Sequence, residues 1–244
     1  MIRGLLPLFV LLTAWQLAGD PTSVTLPPPL LWIRALTDLH RDGRLWPAVG
    51  STFLTYGLAL SCASLAGAAL GVLIGSSAAA ERLLAPTLDV VATLPGAAVV
   101  PIMMLLLGTG RLTAVAVVVL AVVWPIVHSA GAAVRAIPPT RIDAARTLGL
   151  PRHRRWTQVI LPSLTPQLFV AVRIASSMTL ILTLLTDILG NGAGIGRLLL
   201  IQQQRFEAAS CWGLLLVVGS LGCLISAALA RIDARLADRH GATT

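Results

Sequence analysis

Long apolar segments dominate this chain, and short polar segments separate them. A membrane-spanning helix needs about 20 mostly apolar residues. Stretches with little or no charge predict six such helices, at about residues 4–19, 52–75, 86–107, 112–134, 167–189 and 208–230. The pattern therefore predicts an all-α integral membrane protein with a single transmembrane domain over residues 1–244.

The first apolar segment, residues 4–19, has two interpretations. Arg3, a short apolar run and the small residues before Asp20 resemble a secretory signal peptide. We predict a retained helix, and a cleaved signal peptide is the alternative. The five later helices keep their orientation in either case.

Two connecting segments are longer than the others. Residues 20–47 open with several prolines, which favour an extended chain. Apolar residues then recur at helical spacing, so we predict a short amphipathic helix on the outer membrane surface. Its predicted apolar face consists of Leu30, Ile33, Leu36 and Leu39. The second long segment, residues 135–166, is basic.

The distribution of arginine predicts the orientation of the chain. All 18 basic residues are arginine, and positive charges concentrate in the cytoplasmic loops of membrane proteins. With the N-terminus in the cytoplasm, eleven arginines lie on the inner side, six lie on the outer side, and Arg173 lies within a span. We therefore predict that both termini and residues 135–166 are cytoplasmic.

The composition excludes several classes of protein. Hydrophobic residues make up 56% of the chain and charged residues 11%, whereas a soluble domain carries roughly 25% charged residues. This excludes a soluble enzyme and a disordered chain. The net charge of +8 raises the question of nucleic acid, but the arginines lie between apolar runs, as in membrane-protein loops. We predict no nucleic-acid partner.

The residue types needed for catalysis or metal binding are not grouped in the sequence. The three cysteines, Cys62, Cys211 and Cys223, lie within apolar runs and lack the paired spacing of a disulfide framework or a zinc site. The chain has no lysine, so it has no P-loop lysine. The glycine-rich residues 190–196 follow a membrane helix rather than a strand, so we predict an outer turn there. We predict no catalytic residue, cofactor or metal.

The cytoplasmic segment contains the most specific pattern. Pro138 and Pro139 are predicted to end the preceding helix. Thr140 is predicted to cap a new helix, with Asp143 three residues later as in a capping box. These positions predict a short helix at the start of the segment.

A tight turn and a second short helix are predicted to follow. Gly149 is suited to a left-handed helix end, and Pro151 comes two residues later. The second helix is predicted over about residues 152–160 and is expected to end at Pro162. Such a basic helical pair with apolar positions is suited to a groove on a soluble partner.

This segment resembles the cytoplasmic signature of the permeases of ABC importers. That signature reads Glu-Ala-Ala, three residues, Gly, nine residues, Ile-x-Leu-Pro. The spacing here is the same, with Asp143 in place of Glu and Val159 in place of Ile. The residues that the resemblance assigns to coupling with the ATPase are Asp143, Ala144, Ala145, Gly149, Leu161 and Pro162.

Three further segments are similar to one group within this family, the permeases for taurine, alkanesulfonates, nitrate and thiamine precursors. One of them contains Asp187, where that group usually has Glu. The segments are residues 43–47, residues 95–101 with 107–110, and residues 187–190 with 194–196.

The resemblance implies a fold, partners and a function. It implies a type I ABC importer permease with about six transmembrane helices in the bacterial inner membrane, without catalytic activity of its own. The implied partners are a second permease copy in a homodimer, two ATP-binding subunits and an extracytoplasmic solute-binding protein. Residues 135–166 would form the coupling loop. The implied function is transport by alternating access of a small solute, which is a sulfonate, nitrate or a pyrimidine or thiamine precursor.

Polar residues within the spans are candidates for the transport pathway. Carboxylates in a membrane usually face a cavity or pair with a cation. We predict that Asp187 lines or gates the pathway, and a structural bond to a backbone donor or Arg197 is the alternative. Thr179 and Thr183 lie at helical spacings from Asp187, although threonines also bond back to their own helix. His128 is the last candidate, although a lone histidine is more often a packing residue.

A stripe of small residues predicts close helix packing. Gly67, Gly71 and Gly75 recur every four residues in the second span. Small residues at this spacing let another helix approach closely. We predict packing within one subunit, and a contact between two copies is the alternative.

An ion-coupled secondary transporter is the alternative function. In that case Asp187, Asp89 and His128 would form a proton relay. Such transporters usually contain inverted repeats, which this sequence does not show. Asp89 is instead predicted to cap a helix or to pair near the membrane surface.

Overall fold

The computed structural model describes residues 2–20, 23, 25–190 and 192–239. These residues form helices joined by short turns, without a strand, which confirms the predicted all-α class. In chain order the helices are α1 (Ile2–Ala18), α2 (Pro29–Arg41), α3 (Leu45–Gly75), α4 (Ala78–Ala92), α5 (Gly96–Leu107), α6 (Arg111–Arg135), α7 (Pro139–Thr147), α8 (Arg152–Arg155), a π-helical turn (Trp156–Ile160), α9 (Leu161–Leu189), α10 (Ile195–Gln204) and α11 (Ala208–Arg239).

Four helices in the described part of the chain are long and apolar enough to cross a membrane. They are α3, α6, the continuous helix Arg152–Leu189 that contains α9, and the part Ala208–Ala234 of α11. The first predicted span corresponds to α1, which has 17 residues. Its length of about 25 Å is less than the roughly 30 Å of a hydrocarbon core.

The prediction of a single helix over residues 86–107 is wrong. This region consists of α4 and α5, whose axes differ by 91°. Pro95 precedes α5 in an extended conformation, with a ψ of 115°. The residue before a proline is also pushed away from helical angles, so the helix breaks at this position. The described residues therefore contain four full spans and one bent pair.

Helices α3, α6 and α9 form the centre of the fold. A Cβ atom added at Gly67 would lie 2.8 Å from Ile126 Cβ of α6, and one at Gly71 would overlap the Val127 carbonyl. The glycine stripe therefore lies against α6 of the same chain. Small buried residues of α3 and α9 complete this packing; the buried cluster consists of Ala59, Ala63, Val118, Val122, Ile126, Ala171 and Ala175.

Helix α2 packs on α11 rather than exposing its whole apolar face to the membrane surface. Trp32 is 2% exposed, and its ring stacks on Trp212 of α11 with 5.4 Å between centroids. Trp15 of α1 contacts both rings edge-on. This contact buries the large aromatic side chain of Trp32 between α1 and α11. Of the four residues predicted to share one face, Leu39 is buried and Leu36 is half-buried, whereas Leu30 and Ile33 are exposed.

Candidate functional site

The segment predicted to be cytoplasmic begins with α7, but the capping of this helix differs from the prediction. The helix begins after Pro138, without a side-chain cap, and Pro139 occupies its first turn. Proline suits this position because the first N–H groups of a helix have no partner within the helix. The predicted capping by Thr140 is therefore wrong. Asp143 instead accepts a hydrogen bond from Arg146 Nη1 at 3.2 Å.

Gly149 ends α7 in the left-handed conformation expected from the sequence. Its φ is +69°. The Leu150 N–H donates to the Ala145 carbonyl at 3.1 Å, and the Gly149 N–H donates to the Arg146 carbonyl at 2.9 Å. This pair of bonds is the Schellman motif. A Cβ at Gly149 would have nothing within 4 Å, so the backbone conformation, not space, requires glycine here.

The prediction that Pro162 ends the second short helix is wrong. The helix runs without interruption over Arg152–Leu189. A π-helical turn precedes the proline, and the Leu161 N–H donates to the Trp156 carbonyl, five residues earlier. This wider turn changes the backbone pairing just before Pro162, so the ring falls in the first turn of α9, where proline is tolerated. The segment predicted to be cytoplasmic is thus continuous with a candidate membrane span.

A cavity of about 390 Å³ lies between α7 and the start of this long helix. Its lining combines apolar and basic side chains; the residues are Ile142, Ala145, Arg146, Arg152, Arg155, Trp156, Val159 and Ile160. The outer surface of the same pair exposes apolar side chains as well. Leu148 beside the turn is 78% exposed and Leu161 is 55% exposed. Of the signature residues, Asp143, Ala144 and Gly149 are also exposed, whereas Ala145 is buried.

Asp187 lies in a tightly packed site at the other end of α9. Its side chain is buried, with the residue 3% exposed, and it accepts a hydrogen bond from Thr52 Oγ1 at 2.9 Å. The same Thr52 oxygen accepts a hydrogen bond from the Ile195 N–H at 2.8 Å. The Gly196 N–H also donates to the carboxylate. Asp187 and Thr52 together occupy the positive end of the α10 dipole.

The glycines that follow Asp187 make this site possible. A Cβ added at Gly192 would lie 2.5 Å from Asp187 Oδ1, and one at Gly194 would overlap Asp187 Oδ2. At Gly196 a Cβ would overlap the Leu184 carbonyl. The glycine run therefore lets backbone wrap closely around a carboxylate. Sequence reasoning identified Asp187 and the turn but not Thr52, which no local pattern connects to them.

Asp187 also borders a cavity of about 220 Å³ between α3, α5, α6 and α9. Its polar lining includes Ser51, Thr55, Thr113 and Thr186, and its apolar lining includes Val100, Met104 and Val117. Arg111 belongs to the same lining and donates to Ser51 Oγ at 3.4 Å. Arg111 was missed as a site residue because the sequence places it in a short outer loop. Among the described residues, Asp187 forms no ion pair with Arg197.

Thr179 and Thr183 are fully buried and do not line this cavity. Thr179 Oγ1 donates to the Ala175 carbonyl and Thr183 Oγ1 to the Thr179 carbonyl, each at 2.7 Å. Their hydroxyls are therefore bonded to their own helix, the alternative that the sequence left open.

His128 and Asp89 lie together, apart from the cavity that Asp187 borders. His128 Nε2 of α6 is 3.6 Å from Asp89 Oδ1 of α4. Arg135 and Glu81 join the same two helices at 3.0 Å. Both pairs hold the first half of the bent helix pair against α6. No described contact connects them with Asp187, so the three residues of the hypothetical proton relay are not brought together.

Residues 63–239 match the family described as the binding-protein-dependent transport system inner membrane component. The nitrate import permease NrtB of Leptolyngbya laminosa is 26% identical over 93% of this chain and 85% of its own length. The taurine transport permease TauC of Escherichia coli is 25% identical over 96% of this chain and 88% of its own length. The fold is similar to that of a chain of the inward-facing methionine ABC transporter MetNI, with a TM-score of 0.67, 20% identity, and coverage of 78% of this chain and 94% of that chain.

Proposed function

Because this chain belongs to the binding-protein-dependent inner-membrane component family, it is a permease subunit of an ABC importer, and we propose that two copies form its solute pathway. The chain is an integral inner-membrane protein, and its family in general works with an ATPase and a solute-binding protein. In our proposal the complex contains two ATP-binding subunits and one extracytoplasmic solute-binding protein. Both termini and residues 135–166 face the cytoplasm.

The observation that carries this proposal is the continuous helix Arg152–Leu189. One end of this helix lies in the exposed helical pair at Gly149. The other end, at Leu189, lies just after Asp187, which borders the cavity of about 220 Å³. We propose that this cavity faces the outside, and we call it the outer cavity. A push on the cytoplasmic pair would be transmitted along a rigid rod to the opposite side of the membrane. We propose that the pair inserts into a groove of the ATPase and that Leu148 is its main apolar contact.

The outer cavity is the second part of the proposal. Asp187, Thr52 and the first turn of α10 form a closed set of buried hydrogen bonds beside it. We propose that this set fixes the outer end of α9 in one of the two states of alternating access. The solute is a sulfonate, nitrate or a pyrimidine or thiamine precursor. An ion-coupled secondary transporter has no support in the family, and Asp187 lies apart from the other two relay residues, His128 and Asp89, which contact each other.

The coupling proposal is tested by the change Gly149→Val. A β-branched residue at a φ of +69° is strained, so the turn between α7 and α8 should be lost. We expect the variant to insert in the membrane but to lose most of the copurifying ATPase and all ATP-driven uptake. The measurements are the amount of ATPase that copurifies and the uptake by membranes that also contain the solute-binding protein.

Gly43→Val is the matched control for this experiment. Gly43 has the same φ of +69° and equally open space, but it lies in the turn between α2 and α3. We expect it to keep the ATPase. Uptake at the unmodified level in the Gly149→Val protein would contradict the proposal, as would an equal loss of ATPase in both variants.

A further inference from the structure

A charged side chain lies deep within the membrane-spanning part of α9. Arg173 is preceded by 17 residues without charge, 156–172, and followed by 13 more, 174–186. At the helical rise of about 1.5 Å per residue, roughly 20 Å or more of uncharged helix lies on each side of it. Ionisable residues at such depth normally face a water-filled cavity or the interior of a helix bundle.

Arg173 has no partner within the described part of its own chain. The residue is exposed, and no described side chain or carbonyl forms a hydrogen bond or ion pair with it. The contrast with Asp187 is sharp, because that carboxylate is buried and bonded to Thr52. A guanidinium has five N–H donors, and lipid tails offer them no acceptor. Something other than lipid must therefore meet Arg173.

The exposed surface around Arg173 is partly polar. We define the α9 stripe as Pro166, Val170, Arg173, Ser177 and Ile181, which follow one another at intervals of three or four residues and are all exposed. Ser177 lies one turn after Arg173 and adds a hydroxyl to the same face. Lipid tails offer no hydrogen-bond partner to either of these two side chains. The stripe is therefore suited to face water and another protein segment rather than lipid alone.

A second copy of this chain offers Arg173 no free carboxylate at the same depth. The acidic residues in the four described spans are Asp187 and Asp233, and both lie near the end of a span. Asp187 is 14 residues from Arg173 along α9 and is already bonded to Thr52. Asp89 lies in α4 beside His128. If the α9 stripes of two copies face each other across a two-fold axis, their two positively charged Arg173 side chains approach each other. Water and a mobile anion between them relieve this repulsion.

We infer that the α9 stripes of two copies enclose a water-filled passage and that Arg173 binds the transported solute there, which is a small oxyanion. The planar guanidinium presents paired donors that match the oxygens of a carboxylate, sulfonate or similar anion. Ser177 supplies a further donor within one helical turn. The inference rests on the proposed dimeric permease and adds the charge class of its substrate and the residue that selects it.

Thiol accessibility at Ser177→Cys tests the inference. The background replaces Cys62, Cys211 and Cys223 by alanine, and the full complex is kept in membranes. The probes are two water-soluble methanethiosulfonates of similar size, one with a sulfonate and one with a trimethylammonium group. We expect both to react at position 177, the anionic one faster. Adding Arg173→Gln should slow the anionic reagent at least about tenfold and should not slow the cationic one, whereas Arg173→Lys should change the anionic rate much less.

Leu224→Cys on α11 is the matched control site, because Leu224 is 64% exposed among apolar neighbours. We expect little reaction there with either reagent and no effect of Arg173→Gln.

Nitrate and taurine, tested separately, should slow the labelling of position 177 in the protein with Arg173. If neither protects this position, the assignment of Arg173 to the solute is overturned. The inference would also be overturned if position 177 did not react, or if the labelling rates of the two reagents were the same with and without the positive charge at position 173.

The ATPase that copurifies with the same membranes separates the two hypotheses. If the ATPase stays with the permease while the labelling test fails, the inference is wrong and the proposed function stands. If the unmodified chain itself retains no ATPase, the proposed function is wrong.

Discussion

The Thr52 hydroxyl joins three helices near the end of α9 that carries Asp187. It donates to Asp187 of α9 and accepts the Ile195 N–H of α10, while the residue itself belongs to α3. With 1% of its surface exposed, it has no water to replace these bonds. Buried polar groups that lose their partner destabilise a protein by more than the hydrogen bond itself contributes.

Thr52→Val therefore should lower the stability of the permease. The change keeps the shape but removes one donor from a buried carboxylate and one acceptor from a buried N–H, at a cost of about 1–3 kcal/mol. The measurement is the thermal unfolding midpoint of the detergent-purified protein. Thr52→Ser should remain near the unmodified value, because it retains the hydroxyl.

The control for this change is Thr55→Val, one helical turn away. Thr55 is 3% exposed and borders the outer cavity, but it does not bridge α9 and α10. Equal unfolding midpoints for Thr52→Val and Thr55→Val would show that the bridge contributes nothing measurable.

At the scale of elements, the contact between α3 and α6 depends on the glycine stripe. A Cβ added at Gly71 would lie 2.5 Å from Ala130 Cβ and would overlap the Val127 carbonyl. The obstacle is backbone, which cannot rotate away, so the two helices would have to separate.

Gly71→Ala should therefore destabilise the fold by about 1–3 kcal/mol, the range of overpacking in a tight core. Gly57→Ala in the same helix is the matched control, because a Cβ there meets nothing within 4 Å. Its better helix propensity should leave stability unchanged or higher by up to about 1 kcal/mol. Unfolding in a denaturing detergent series measures both variants, and a Gly71→Ala protein as stable as Gly57→Ala would refute the close approach.

The elements that the sequence predicted well are those whose signal is local. Long apolar runs located α3, α6 and α11, and Gly149 located a turn, because hydropathy and left-handed backbone are properties of a few neighbouring residues. Besides the capping by Thr140, two predictions failed, and both concern whether a proline interrupts a helix. Pro95 breaks a run that hydropathy treats as continuous, whereas Pro162 fails to end a helix because a π-helical turn changes the backbone pairing before it. Whether a proline interrupts a helix depends on backbone bonds that residue type alone does not reveal.

The candidate site shows the same limit. Asp187 and the glycine turn are visible in the sequence, but their partner Thr52 is 135 residues away. The threonines Thr179 and Thr183 have the right spacing for a pathway but are bonded within their helix. Spacing identifies the face of a helix, and only the packing of other helices decides what that face meets.

At the scale of the whole molecule, the arrangement of helices fixes which exposed residues share a side of the membrane. Leu148, 78% exposed, precedes α9, and Phe206, 80% exposed, follows α10. Between them the chain crosses the membrane once, through α9. Helix α10 has 10 residues and packs beside the start of α3, where Leu45 and Leu198 belong to one buried cluster. Leu148 and Phe206 must therefore lie on opposite sides.

Cysteine labelling tests both this separation and its direction. In the cysteine-free background, Phe206→Cys should react with a membrane-impermeant thiol reagent in intact cells, and Leu148→Cys should react in inverted membrane vesicles. The arginine bias and the proposed contact of α7 with the ATPase both require the cytoplasm on the Leu148 side. Labelling of both positions from one side would contradict the single crossing by α9. A reversed pattern would keep the fold but place the helical pair at Gly149 outside, where no ATPase subunit can reach it.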